Sequence, residues 1–141
     1  MRWKRNRIKV KAGERAGWIS ARGYRYVYIG GKSCKEHRII WCMLTGEWPK
    51  GDIDHINRVK SDNRLCNLRE ATRSQNNANS NLRKDNRYGV RGITWMPKRK
   101  KWKARLAYKG ITKNLGHFDR KEDAILAYQQ CAKLTFGEFV P

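Results

Sequence analysis

The sequence predicts an α+β chain, with a small N-terminal β-sheet, a short-stranded middle and a C-terminal three-stranded antiparallel sheet packed on one helix. Three observations carry that expectation. Tyr24-Arg25-Tyr26-Val27-Tyr28-Ile29 is aromatic and β-branched and runs into Gly30-Gly31, which reads as a strand and a hairpin turn. Residues 101–108 alternate, with Trp102, Ala104, Leu106 and Tyr108 on one face and Lys101, Lys103 and Arg105 on the other. Between these strands lie segments with helix start and stop signals.

In chain order, residues 36–45 read as a short helix closed by Gly46, with Pro49 just beyond. Residues 51–70 are loop-rich with short extended pieces. Thr72-Arg73-Ser74-Gln75 has the form of a capping box, so a helix is expected over about 73–80. The stretch 77–87 is polar, rich in Asn and without apolar periodicity, which puts a linker at 81–87. Strands are expected over about 89–96, 101–108 and 112–118, with turns at Pro97–Lys100 and Lys109-Gly110. Asp119-x-x-Glu122 is an acidic variant of the capping box. It is expected to start a helix that runs to about Thr135, with Gly137 past its end. Ala124, Ala127, Tyr128, Cys131 and Thr135 share one stripe of that helix, and their small size lets it sit close to the apolar face of the sheet.

The 141 residues hold 33 Lys and Arg against 12 Asp and Glu, a formal net charge of +21. That length suits one or two small domains and excludes a large enzyme core. A charge of this size points to a polyanion, and nucleic acid is the usual one. Six Trp, six Tyr and three Phe argue against a disordered basic tail. The charge is unevenly placed: residues 1–35 carry a net +10, residues 36–85 only +2, residues 86–118 again +10 with no acid, and residues 119–141 −1. Two basic segments therefore flank a nearly neutral middle, a binding–chemistry–binding layout. No apolar run approaches the ~20 residues of a transmembrane helix, and none follows the basic Met1-Arg2-Trp3-Lys4-Arg5, so neither a membrane span nor a signal peptide is expected. Cys34, Cys42, Cys66 and Cys131 never form C-x-x-C, which weakens both a disulfide framework and a zinc knuckle; buried free thiols in a reducing cytoplasm are expected.

The chemistry is expected in the middle, at Asp54-His55, Asn67 and Asn76. A hairpin can bring the Asp54 carboxylate and the Asn76 amide oxygen onto one hard cation, with other positions left to water and phosphate, which suits Mg²⁺. An unperturbed imidazole titrates near neutrality, so His55 beside them can act as general base for an attacking water. Standing alone, a D-H dipeptide also reads as a capped turn, and loop Asn as a partner for backbone groups.

The surrounding text narrows this. His37-Arg38-Ile39-Ile40-Trp41, Thr45-Gly46-Glu47-Trp48-Pro49, Ile53-Asp54-His55-Ile56-Asn57, Asp62 through Thr72 and Gln75-Asn76-Asn77 together resemble the HNH endonucleases, specifically the phage and intron-associated homing group. The resemblance implies a ββα-metal fold with His55 as general base. It implies that Asp54 and Asn76 hold the metal and that Asn67 braces the loop orienting the histidine. The third motif position is Asn rather than His, an H-N-N variant that keeps an oxygen donor. Zinc-bearing members have C-x-x-C pairs, so no structural zinc is expected. His37 either orients its helix against the loop or touches a phosphate.

A second resemblance covers residues 88–139. Tyr88-Gly89-Val90-Arg91, Trp102-x-Ala104, Leu115-Gly116-x-Phe118, Glu122-Asp123-Ala124, Ala127-Tyr128 and Phe136-Gly137 are similar to the plant APETALA2/ethylene-response DNA-binding domain. It implies a three-stranded sheet entering the major groove, with Arg91, Trp95, Arg105 and Asn114 at or near contacting positions. Trp95 reads equally as core. Lys103 shares the exposed face by alternation. Arg22 and Arg25, alternating with tyrosines, suggest a further small sheet on DNA within residues 1–35.

The expected organisation is a basic, β-rich segment 1–35, an HNH nuclease domain 36–80, a linker 81–87 and an APETALA2-like domain 88–141. The expected function is a metal-dependent homing endonuclease that hydrolyses phosphodiesters in double-stranded DNA with Mg²⁺, for which Mn²⁺ can substitute. It needs no protein partner, acts as a monomer or a dimer, and works as a phage protein in the host cytoplasm. A non-catalytic DNA-binding regulator with a decayed nuclease module is the alternative, and an RNA-binding protein the third reading.

Overall fold

Residues 14–140 are described by the computed structural model of the chain, which divides between Glu70 and Ala71 into two compact units. The first thirteen residues of the expected basic N-terminal segment, Met1-Arg2-Trp3-Lys4-Arg5 among them, lie outside the described residues.

The first unit opens with a small antiparallel sheet of β1 (Trp18–Ile19), β2 (Arg25–Ile29) and β3 (Lys32–Lys35), in that spatial order. Gly30 and Gly31 both take positive φ, 54° and 80°, as a two-residue hairpin turn between right-twisted strands requires. Helix α1 (Glu36–Thr45) follows β3 directly and ends as its sequence predicts: Gly46 is left-handed at φ 80° and its N–H reaches the Cys42 carbonyl at 2.9 Å. Ala16, Val27 and Ile39 bury one core, with Cys34 packed against it.

The loop-rich middle resolves into two strands, β4 (Asp52–His55) and β5 (Leu68–Ala71), paired as a two-stranded sheet. The start of β4 is clamped from two sides. Arg38 of α1 donates to the carbonyls of Pro49 and Gly51 at 3.0 and 2.8 Å, and Glu70 of β5 accepts from the N–H groups of Lys50 and Gly51 at 3.0 and 3.3 Å.

In the second unit, α2 (Arg73–Asn79) carries the full capping box. Thr72 Oγ1 accepts from Gln75 N, and Gln75 Oε1 accepts from Thr72 N. Next comes an antiparallel sheet of β6 (Ile93–Met96), β7 (Lys101–Tyr108) and β8 (Ile111–Phe118), covered by α3 (Lys121–Phe136). Ala104 and Ala124 are fully buried and pack together with Ile93, so small residues bring helix and sheet close, as expected. The helix stripe extends beyond the predicted one to Ala132 and Phe136. These join Ala71, Leu106 and Phe139 in a second cluster, against which Ala78 of α2 packs.

Three expectations need correction. The first strand of this sheet begins at Ile93, not 89, because Gly89 and Gly92 both turn through positive φ. A Cβ at Gly92 would run into the Arg105 carbonyl and the Tyr128 ring, so only glycine fits. The Asp119 capping box does not form: the cap residue is Arg120, with no side-chain cap, while Glu122 and Asp123 sit in the first turn. The thiols are free but none is buried; Cys66 is exposed and the other three are half-buried.

Candidate active site

Backbone alternation on β4 and the turn that follows it set out the site. Asp54 and His55 end the strand and are both buried, at 5% and 4% exposure. The loop 56–66 then leaves and returns to β5, and Asn67 ties its two ends together. The Asn67 side chain accepts from Asn57 N at 2.9 Å and donates to the Asp62 carbonyl at 2.8 Å, while its own carbonyl accepts from Ile56 N at 2.9 Å. Within the loop, hydrogen bonds from the Arg64 guanidinium and the Asn57 amide hold the Asp62 carboxyl well below the usual carboxylate range.

Around His55 the structure places residues that the sequence did not single out. The His55 Nε2 lies 2.8 Å from Asn63 Oδ1, and Asn63 Nδ2 donates to Glu36 Oε2 at 2.6 Å. Glu36 is 1% exposed at the start of α1 and is gripped by Arg15 at 2.7 and 3.3 Å, with Arg25 Nε 3.9 Å away. Asp54 Oδ2 accepts from Arg69 Nε at 3.0 Å. Tyr24 lies against both His37 and His55, with ring centroids 5.5 and 6.1 Å away, and Lys35 and Lys60 sit over its ring. Burial, with Asp52 and Asp54 nearby, raises the Tyr24 phenol above its ordinary value.

His37 packs edge-on against His55 at 4.9 Å and is itself buried, with no hydrogen-bond partner for Nδ1 among the described residues. That placement makes it a packing neighbour of the site. Burial, with His55, Lys35 and Arg38 nearby, pushes its pKa down from 6.5 to about 3. The folded protein therefore refuses a proton that the unfolded chain accepts below 6.5, and stability falls as pH drops from 6.5 toward 3. The unmodified protein is expected to lose stability more steeply over this window than His37→Phe, by up to about 1.4 kcal/mol per pH unit. Urea unfolding at several pH values checks this; parallel curves would show that His37 does not resist protonation.

Among the described residues no group of three or more His, Cys, Asp or Glu side chains stands together to hold a metal ion. Asp54, on β4 of the first unit, and the half-buried Asn76, on α2 of the second, each offer the oxygen donor that a hard cation takes.

The expected DNA-contact residues divide in two. Lys103, Arg105 and Asn114 lie on the sheet face opposite the buried Ala104 and Leu106, and Arg105 stands directly across from Asn114. Arg22 is exposed. Arg91 donates to the carbonyl and hydroxyl of Ser80, and with Arg105 it lines an open cleft of about 650 Å³. Trp95 and Arg25 turn the other way. Trp95 stands opposite Trp102 with ring centroids 5.1 Å apart, on the side of the sheet that packs α3. Arg25 points at Glu36 with only 17% of its side chain exposed. Trp95 thus shares a face with the packed residues of the sheet, and Arg25 lies beside a buried carboxylate.

A buried histidine thus stands beside a buried aspartate at the end of β4, in a strongly cationic chain. Residues 34–78 match the family model of HNH endonuclease. The chain is similar to "Uncharacterized HNH endonuclease L560" of Acanthamoeba polyphaga mimivirus, 33% identical over 124 residues, covering 86% of this chain and 63% of that one. It is also similar to "Protein 3.8" of Escherichia phage T7, 29% identical over 119 residues, covering 84% of this chain and 95% of that one. The chain thus spans under two thirds of the mimivirus relative's length. No solved structure matches.

Proposed function

We propose that the chain is a metal-dependent DNA endonuclease of the homing type, hydrolysing phosphodiester bonds in double-stranded DNA. The observation that carries this reading is the buried His55 beside Asp54 on β4, its loop tied by Asn67, inside the segment that matches the HNH endonuclease family. His55 takes the proton from the attacking water as general base. Asp54 and Asn76 hold one divalent cation, Mg²⁺ or Mn²⁺. When bound, the cation supplies charge stabilisation for the phosphate and the leaving 3′ oxygen. Asn67 keeps the loop, and with it His55, in place.

The C-terminal sheet and helix serve as an APETALA2-like DNA-binding module. Support comes from the three-stranded antiparallel sheet packed on α3 and from the Lys103, Arg105 and Asn114 face. Arg22 and the basic N-terminal segment add phosphate contacts. A monomer with one such site nicks one strand and a dimer cuts both; the protein acts in the cytoplasm of a phage-infected host. No helix among the described residues is long and apolar enough to cross a membrane.

Supercoiled plasmid incubated with the protein and Mg²⁺ is expected to become nicked or linear, and to stay intact with chelator. Plasmid that is bound but left intact would overturn the nuclease reading in favour of a non-catalytic DNA-binding protein. Cleavage that persists in chelator would remove the metal from it.

A further inference from the structure

We infer that Asn63 and Glu36 are positioning residues that fix the tautomer of His55, holding its proton on Nε2 and its lone pair on Nδ1. The catalytic meaning of this rests on the reading of His55 as the proton acceptor; the geometry does not. At the far end of the relay, Glu36 is a carboxylate, 1% exposed, facing Arg15 at 2.7 Å and Arg25 at 3.9 Å. A carboxylate in that company only accepts hydrogen bonds. The atom of Asn63 that lies 2.6 Å from it must therefore be the amide nitrogen. The opposite assignment would press an amide oxygen against a carboxylate oxygen.

With the nitrogen turned to Glu36, the Asn63 oxygen faces His55 Nε2 at 2.8 Å. An amide oxygen also only accepts, so Nε2 must carry the hydrogen. In the neutral imidazole that leaves the lone pair on Nδ1. Asn63 is 6% exposed and His55 4%, so bulk water is poorly placed to take over this role. Four separate pieces of the first unit build the relay: the N-terminal segment gives Arg15 and Arg25, α1 gives Glu36, the loop gives Asn63 and β4 gives His55. Glu36 at the first helical position also suits the positive end of the α1 dipole.

The relay gives His55 a direction. A general base whose lone pair sits on the wrong ring nitrogen cannot take the proton, and loss of the correct tautomer is costly even where geometry is kept. Outer partners that orient a reacting group are typically worth about 10- to 100-fold in activity.

The test is imidazole nitrogen NMR on ¹⁵N-histidine protein, in mildly alkaline solution without metal, with the His55 signals assigned from His55→Gln. The expected result is a protonated-type Nε2 and an unprotonated-type Nδ1 in the unmodified protein. In Asn63→Ala the two tautomers should mix, with kcat for plasmid nicking down about 10- to 100-fold and KM nearly unchanged. Glu36→Gln, which still offers an oxygen to the Asn63 amide, should keep the tautomer better than Glu36→Ala. An Nδ1–H tautomer in the unmodified protein overturns the inference outright, whether or not the variants fold. So does an Asn63→Ala spectrum identical to the parent. Unmodified protein that shows the Nε2–H tautomer but never cuts DNA would instead sink the nuclease reading and leave the tautomer assignment standing.

Discussion

Replacing His55 by alanine is expected to lower DNA cleavage about 10²–10⁴-fold while leaving DNA affinity nearly unchanged. The two effects separate because the side chain is buried at 4% exposure and offers little surface to a duplex, whereas the cations proposed to grip phosphate lie elsewhere on the chain. Plasmid nicking and filter binding, run on the same preparations, read the two quantities. The ring also fills space against His37 and Tyr24, so His55→Gln is the necessary companion: it keeps bulk and polarity but provides no base. Both variants should fail to cut. Cleavage at the unmodified rate by either one would exclude His55 as the general base.

What the sequence disclosed about this site follows the range of the interactions involved. The caps of α1 and α2, the Gly30-Gly31 hairpin and the alternation of β7 are local patterns, and each element appears within a residue or two of its expected place. Asp54, His55 and Asn67 stand out in the sequence as candidates because they lie on one hairpin, where a short motif constrains geometry. The relay behind His55 was not. Asn63 and Glu36 are 27 positions apart and meet only when the loop folds against the start of α1. Read locally, Glu36 is merely an acid in a first helical turn. Trp95 stays open between core and contact in the sequence for another reason. Alternation says which residues of one strand share a face, but only the hairpin register decides which face of β6 matches which face of β7. The turn at Pro97–Lys100 sets that register and puts Trp95 with Trp102.

Deleting residues 86–141 is expected to abolish cleavage, not merely to relax its selectivity. From charge alone, the segment is a detachable DNA grip, and removing it should leave a folded nuclease that cuts indiscriminately. The packing argues otherwise. Helix α2 has seven residues, well short of the ~12–15 at which an isolated helix becomes even marginally stable in water. Its support comes from the cluster of Ala71, Leu106, Ala132, Phe136 and Phe139, with Ala78 packed against it, and all but the two alanines at 71 and 78 lie in the deleted segment. Without them the helix that carries Asn76, the proposed amide ligand, loses its apolar partners and should unfold. Cleavage should then drop to the level of His55→Ala, and amide protection over residues 73–79 should vanish. Binding should weaken separately, because ten Lys and Arg lie between 86 and 118. For every phosphate that these cations no longer neutralise, the slope of log K against log salt should become shallower by about 0.9. Phe136→Ala in the full chain isolates the packing effect: it should destabilise by about 3–5 kcal/mol and impair cleavage while keeping the salt slope. A truncated protein that still cuts plasmid would show that α2 stands without the C-terminal cluster, and the detachable-grip picture would then hold after all.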